Sequence, residues 1–485
     1  MMINTQNITA GSAPSKSLLA KYWPHLAWAG TFLILWFIPC PEGLDPKAWQ
    51  LFAIFVATIV GFMTKPYPMA IVALTAIAAT GLTKTLTASQ TLSGFSDSTI
   101  WLICGAFFIS RAFLKTGLGN RIAYLFMSLV GKTPLGLAYA TTLTNIVLAP
   151  VIPSNTARLG GVLFPLQLAI SLAYDSDPAK GTGRRIGSFL MSNAFQGNLV
   201  ISAMFLTAMA SNPLMVGFAR SAGVEINWGT WALAGLVPGL LCLILLPLIL
   251  LVVWPPEIKK SPEAAALAKE KLAAMGKVTA KEYIMLGVFI GLIGLWTIGD
   301  MLFKVNATIA ALVGLAVLLL TKVLTWPDLA AEKGAWNTLI WFSALVMMAN
   351  FLNKLGLIPW MSNVLAGYVG GLDWQVAFIV LCLIYVLAHY FFASATAHVA
   401  SMYPAFLGVI LAVGTPPMLG ALALCFSSNL MGGITHYGLG SGPIFYDSGY
   451  IPLRPFWLLG LLFCAVFLAI YLGIGPIWWS LLGLI

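Results

Sequence analysis

The sequence predicts an all-α polytopic membrane protein, built as an inverted repeat with two re-entrant hairpins. Three observations lead there. Of its 485 residues, 60% are hydrophobic and only 8% charged, against roughly 25% charged in soluble domains. Apolar stretches of about 20 residues, the length that crosses a bilayer as a helix, recur along the chain. Two short polar stretches in matching places of the two halves also echo one another, Pro153-Ser154-Asn155-Thr156-Ala157-Arg158 and Ala393-Ser394-Ala395-Thr396-Ala397-His398. Each is followed by an aromatic-proline pair, Phe164-Pro165 and Tyr403-Pro404.

The net charge of +10 does not point to nucleic acid, because the bases collect in alternate loops as the positive-inside rule describes. The six cysteines lie in apolar stretches without zinc-like spacing and read as small packing residues. No metal or cofactor motif is present. The polar N-terminus, 1–22, lacks a signal-peptide cleavage pattern and is expected to be cytoplasmic.

The first three spans are expected at Trp23–Ile38, Trp49–Met63 and Pro68–Leu82. The loop Pro39–Lys47 carries Glu42 and Asp45 and faces outward, while Lys16, Lys21 and Lys65 hold the other ends inside. A fourth span, Thr99–Leu114, ends at a cytoplasmic edge marked by Lys115, Arg121 and Lys132, with a bend expected at Gly117-Leu118-Gly119. Leu135–Ile170 has apolar arms about Pro153-Ser154 and bases beyond both ends, Lys132 before and Lys180, Arg184 and Arg185 after. Both ends are thus cytoplasmic, and the segment is a hairpin with Ser154-Asn155-Thr156 at its tip. Non-helical backbone at that depth is tolerated only inside protein or beside water.

Ile186–Pro213 is the next span, interrupted near Met209-Ala210-Ser211-Asn212-Pro213, and Trp228–Val253 follows. Pro255–Glu282 holds six lysines and four glutamates in a helix-favouring Ala-Leu-Lys-Glu background. It reads as a cytoplasmic linker helix between halves rather than a partner surface.

The second half repeats the first. Tyr283–Phe303 and Ala307–Val323 are spans, and Thr338-Leu339-Ile340-Trp341 to Leu357 matches Thr99-Ile100-Trp101 to Leu118. Trp374–Val413 mirrors the hairpin, with Ser394 at its tip. After Met418–Gly433 a second break, Gly438-Leu439-Gly440-Ser441-Gly442-Pro443, is the counterpart of Ser211-Asn212-Pro213. The last span is Pro455–Leu472, and Trp478-Trp479 is expected at the membrane interface with Trp101 and Trp341. Internal symmetry with interrupted segments in corresponding places marks a secondary transporter. By loop charge the second hairpin opens outward, so the two tips meet near the midplane.

Ser-Asn-Thr is an ordinary turn or helix cap in a soluble protein. That explains one copy, but poorly explains two in matching places of an apolar chain. Polar groups there are costly and mark function. A hairpin tip leaves the first N–H groups of its second arm unpaired, at the positive end of the helix dipole. Ser154, Asn155, Thr156, Ser394 and Thr396 add side-chain donors, and two such tips suit the two carboxylates of a small dicarboxylate. Unwound carbonyls beside them suit sodium instead. Arg158 and His398 hold equivalent positions and are expected to serve the anion. Snorkelling to an interface is disfavoured for Arg158, since apolar Leu159–Ala173 follows at once. His389 and His436 have no such counterpart and are expected to stand behind the site.

These paired motifs, hairpins and broken helices resemble the divalent anion/sodium symporter family over about Trp23–Trp479. The resemblance is to its bacterial di- and tricarboxylate antiporters (citrate/succinate and tartrate/succinate exchangers) and plastid 2-oxoglutarate/malate translocators, whose first motif reads Ser-Asn-Thr-Ala-Arg as at Ser154–Arg158. It implies about eleven transmembrane helices plus the two hairpins, a homodimer, and a transport domain that slides as an elevator against a scaffold. By resemblance the scaffold is 23–131 and 283–372, the transport domain 132–254 and 373–485, joined by the linker 255–282. The site expected is Ser154, Asn155, Thr156, Ser394, Ala395, Thr396, Gly440 and Ser441 for the anion and Arg158 and His398 for its charge. Ser211, Asn212, Pro213 and Pro443 stand behind them.

Three departures from the sodium symporters weigh against sodium: Ala395 replaces the second asparagine, Leu439-Gly440 replaces a Thr-Pro pair, and Arg158 and His398 add positive charge. The function expected is sodium-independent exchange of C4–C5 dicarboxylates across the cell membrane, with N-terminus inside and C-terminus outside. A sodium-coupled dicarboxylate symporter is the alternative, and a citrate or tartrate/succinate antiporter ranks below it. The expected partners are dicarboxylate anions, the lipid bilayer and a second copy. An intramembrane enzyme is disfavoured, since no clustered aspartates, Asp pairs or His-Glu zinc motifs occur. A channel is disfavoured because re-entrant tips with bases suit occlusion more than a continuous pore.

Overall fold

The computed structural model describes residues 18–299, 303–357, 359–360, 364 and 373–485. Residues 1–17 of the expected cytoplasmic N-terminus, and most of 358–372 at the end of the second expected scaffold segment, lie outside the described residues. Every regular element described is helical. Nine described helices are long and apolar enough to cross a membrane, and four shorter apolar ones accompany them.

Local chemistry fixes many helix ends. Asp45 accepts from the Lys47 amide at 2.8 Å and caps Pro46–Thr64, whose proline sits where its missing N–H costs nothing. Asp97 likewise caps Ser98–Thr116. That helix stops at Gly117, which takes φ 75°, a conformation glycine adopts without penalty. The expected bend is therefore a helix end, and Leu118–Val130 starts anew.

The internal repeat is visible in geometry. Thr83-Lys84-Thr85-Leu86-Thr87 and Thr321-Lys322-Val323-Leu324-Thr325 both place their lysine at φ 57°, and both lead into a capping box, Thr87 with Gln90 and Thr325 with Asp328. The equivalent helices that follow, Ser98–Thr116 and Lys333–Lys354, run antiparallel. Lys115, near the end of the first, pairs at 2.6 Å with Asp328, just before the start of the second. At the other end Arg220 pairs with Asp97, while the adjacent Ser221 bonds Asn350 and Asn353. Equivalent helices in opposite directions make the repeat inverted.

The two ends of the first hairpin lie together, against the same segment. Ser261 donates its amide to the Lys132 carbonyl at 2.9 Å. Three residues on, the Ala264 amide donates to the Tyr174 hydroxyl at 3.0 Å, and that hydroxyl donates to Glu263 at 2.7 Å. The arms are Pro134–Leu148 and 155–173, the latter with a π-helical turn at Leu159–Leu163. Gln167 on the second arm bonds Thr141 on the first. The second hairpin has arms Trp374–Leu387 and Ala395–Ala412.

Three expectations change. The linker helix is only Pro262–Ala274. Lys281 and Glu282 begin the next helix, Ala280–Gly294, where buried Glu282 takes a 2.6 Å ion pair from Arg121. The last helix runs unbroken over Leu453–Leu481 through Pro476. Several tryptophans are packing residues rather than interface anchors: Trp231, Trp296 and Trp479 are fully buried and Trp341 is buried too. Trp478 and Trp479 donate to the carbonyls of Leu233 and Ala234 at 2.7 and 3.0 Å, the partner a buried indole requires. Five of the six cysteines are buried, and all are free thiols.

The lysine-rich segment supplies the first prediction. Single cysteines at exposed Lys269 or Lys277, in a background with Cys40 replaced by serine, are expected to resist impermeant thiol reagents in whole cells and to react after permeabilisation. Reaction in intact cells would turn the whole topology over.

Candidate functional site

Each hairpin's second arm begins at its serine. Ser154 Oγ accepts from the Ala157 amide at 3.1 Å, and Ser394 Oγ from the Ala397 amide at 3.4 Å. Both serines are thus helix caps. An accepting hydroxyl still has its own proton to donate, so capping and ligand binding are compatible. Thr156 is exposed at the first tip and Thr396 half-buried at the second.

The two tips converge on the second helix break. Ser441 donates to Asn155 Oδ1 at 2.9 Å. A Cβ on Gly440 would fall 2.7 Å from Thr156 Oγ1, so the break lies directly against the first tip. From the other side Ala395 packs with Leu439, Leu199 and Met209 in one small apolar cluster. Ser154, Asn155, Thr156, Ala395, Gly440 and Ser441 are therefore neighbours, although Asn155 and Ser441 are 286 residues apart in the chain. Ser441 ties the break to the first tip, since its proton is engaged by Asn155.

Behind the tips, the first break differs in register from the sequence expectation. Gly187–Met204 ends at Phe205, and Ser211, Asn212 and Pro213 open the next helix, Ser211–Ser221. Asn212 Nδ2 caps the freed carbonyls of Ser202 and Phe205 at 2.8 and 3.1 Å, and its Oδ1 accepts from Asn429 at 2.9 Å. Ser211 Oγ is buried without a partner. Pro443 sits in the first turn of Gly442–Asp447.

Arg158, expected to serve the anion by its charge, is fully buried, and its donors all turn to the protein. Nε donates to Asn145 Oδ1 at 2.6 Å, and Nη1 to the carbonyls of Ile152 and Ala208 at 2.6 and 2.9 Å. Nη2 donates to Asn198 Oδ1 and Ser202 Oγ, both at 2.9 Å. All five N–H donors of a guanidinium are taken. The side chain is a clamp joining both arms of the first hairpin to the helix before the first break and to the break itself, and among the described residues no carboxylate forms an ion pair with it. His398 is not a lone base either. Its Nδ1 lies 3.2 Å from Nδ1 of His389, in the short 3-10 turn Ala388–Phe391 that follows the first arm of the second hairpin, and both rings are fully buried.

Sequence reasoning passed over Asn145, Asn198, Ser202 and Asn429, and underrated His389. A signal existed for two of them. Asn198 and Ser202 are four apart, hence on one helix face, in a helix buried at every position. Among the described residues no group of three or more His, Cys, Asp or Glu is placed to hold a metal ion. The site offers hydroxyl and amide donors, two helix N-termini and one fixed positive charge, a set suited to a small anion.

The sequence profile of the sodium:sulfate symporter transmembrane region matches residues 19–485. The chain belongs to this symporter family. YflS of Bacillus subtilis, a candidate malate transporter, is 53% identical to it over 97% of this chain and 98% of its own. The spinach chloroplast dicarboxylate transporter 1 is 51% identical over 96% of this chain and 82% of its own. Inner membrane protein YbhI of Escherichia coli is 38% identical over 93% and 95%. Among solved structures, the YdaH transporter of Alcanivorax borkumensis superposes with TM-score 0.54 over 96% of this chain and 98% of its own, at 14% identity, and shares the fold. A member of this symporter family is a multi-pass membrane transporter of anions, not an enzyme.

Proposed function

We propose that this symporter-family protein exchanges C4–C5 dicarboxylates across the cell membrane without sodium. One observation carries the reading: the tips and the second break converge on donors and helix N-termini, beside a buried arginine whose charge no carboxylate neutralises. Relatives named for malate and dicarboxylates support that substrate class over citrate or tartrate. Segments 132–254 and 373–485 form the moving domain and 23–131 and 283–372 the scaffold, in a homodimer with N-terminus inside and C-terminus outside. The Arg220–Asp97 pair and the bonds of Ser221 to Asn350 and Asn353 then cross the sliding boundary. Counterflow of labelled succinate into proteoliposomes loaded with malate or 2-oxoglutarate is expected to be fast and indifferent to sodium. Sodium-dependent net uptake would establish instead the sodium-coupled symporter, which the family description favours.

Tip hydroxyls supply a second prediction. Changing Thr156 or Thr396 to valine removes a donor to a carboxylate, about 1.5–3 kcal/mol. The half-saturating dicarboxylate concentration is expected to rise roughly tenfold or more, while serine at either position restores it. Ser154→Ala and Ser394→Ala lose the donor and a helix cap, so they cost about 1 kcal/mol of stability as well. Unaltered exchange in all four alanine or valine variants would remove the anion from the tips.

A further inference from the structure

We infer that the His389–His398 pair is a binding site for one proton, taken up with each dianion. The inference rests on the dicarboxylate reading above and assigns that site a second ligand. The geometry limits the pair to a single added proton. At 3.2 Å the two Nδ1 atoms face each other, so one ring must donate and the other accept. In the neutral pair one ring carries Nδ1–H, and its Nε2 keeps a lone pair. A proton from water forms an N–H bond there, the ring becomes imidazolium, and the bridging hydrogen bond becomes charge-assisted. A second proton would set two Nδ1–H groups against each other and break the contact. Both Nε2 atoms, of His389 and of His398, are buried without a hydrogen-bond partner among the described residues, so whichever ring donates across the contact has its Nε2 lone pair free for the incoming proton. His389 Nε2 lies against Gly438, where a Cβ would fall 2.5 Å from it.

What balances that proton is the central question. Trp374–Tyr446, which includes both arms, both histidines and the second break, contains no Asp, Glu, Lys or Arg. Helices packed on the second hairpin are Pro46–Thr64, Ser211–Ser221 and Pro417–Leu430. Their only charged residues are Lys47 in a first turn and Arg220, which is paired with Asp97. The thiols and phenols on these elements include Cys382, Tyr385, Tyr390, Tyr403, Cys425 and Tyr437; the Tyr385 ring lies 4.5 Å from His398 and its hydroxyl bonds Ser428, while Cys425 bonds Tyr403. His436, on the break, accepts from Trp457. No carboxylate is present, and an unpaired buried imidazolium is costly. Dianion at the tips, two residues from His398, is the counter-charge. Proton and dianion therefore strengthen each other's binding, and by linkage the effect is mutual.

Succinate binding to the purified protein, measured by titration calorimetry at neutral and alkaline pH in phosphate and in Tris, tests this. These buffers differ in ionisation enthalpy, and succinate is fully dianionic there. Buffer-dependent heats are expected to report uptake approaching one proton per succinate, and succinate affinity is expected to fall as pH rises. His389→Leu is expected to abolish the uptake. If that variant does not fold, the buffer dependence and pH profile of the unmodified protein decide. Identical heats in both buffers with succinate bound would overturn the proton site alone. Absence of any succinate binding would overturn the dicarboxylate reading and this inference with it.

Discussion

Arg158→Lys is expected to abolish exchange and lower the unfolding temperature sharply, although it conserves charge. The guanidinium fills five acceptors, on the first arm, the hairpin turn, the helix before the first break and the break itself. An ammonium has three donors at the end of a flexible stem and no planar fork. At least two buried acceptors are left unpaired, each at about 1–3 kcal/mol, so the loss is roughly 2–6 kcal/mol. Arg158→Gln loses more, because it carries fewer donors and removes the charge. Thermal unfolding in detergent and counterflow in proteoliposomes measure the two consequences separately. A ligand arginine behaves differently: lysine there leaves the fold intact and raises only the half-saturating concentration. Normal stability of Arg158→Lys would return the arginine to the anion.

The fold was largely legible, because apolar length, loop charge and the echoed motifs are all one-dimensional signals. Trp228–Val253 is the helix the sequence predicts, to the residue, since an unbroken apolar run that opens at Asn227 and closes before Pro255 has sharp edges. The last helix continues beyond the expected end at Leu472 and through Pro476, since within an apolar helix neighbouring groups accommodate a proline. The tip residues were legible through repetition. What they bond was not. Nothing in the order of residues says that Asn145 and Asn198 reach Arg158 from two helices, or that His389 meets His398 across a tip. Such partners depend on how arms pack, and a buried guanidinium is satisfied only by three-dimensional convergence. The expectation for Arg158 is a built-in charge, which needs no named partner; the acceptors that hold it were not foreseeable from spacing.

That built-in charge yields the other large effect. Homoexchange of succinate is expected to exceed net efflux into anion-free medium by roughly 100-fold or more, the factor that matches ~2.5–3.5 kcal/mol for one charge at the bilayer centre. A dianion, Arg158 and a proton on the histidine pair sum to zero, so the loaded domain is free to move. After release the proton leaves too, but Arg158 cannot dissociate from the chain and stays charged. The empty domain then carries one uncompensated positive charge and is held in place until another dianion binds. Asn198→Asp separates this charge effect from the clamp. Asn198 Oδ1 accepts from Arg158 at 2.9 Å and from Asn145 at 3.2 Å, while its Nδ2 has no hydrogen-bond partner. A carboxylate there keeps both bonds, replaces only the unpartnered amine, and neutralises the guanidinium. The variant is expected to fold, to bind succinate more weakly, and to show net efflux rising toward its exchange rate. If Asn198→Asp folds and still exchanges without leaking, charge is not what traps the empty carrier, and the coupling must lie in the closure of the tips around the anion.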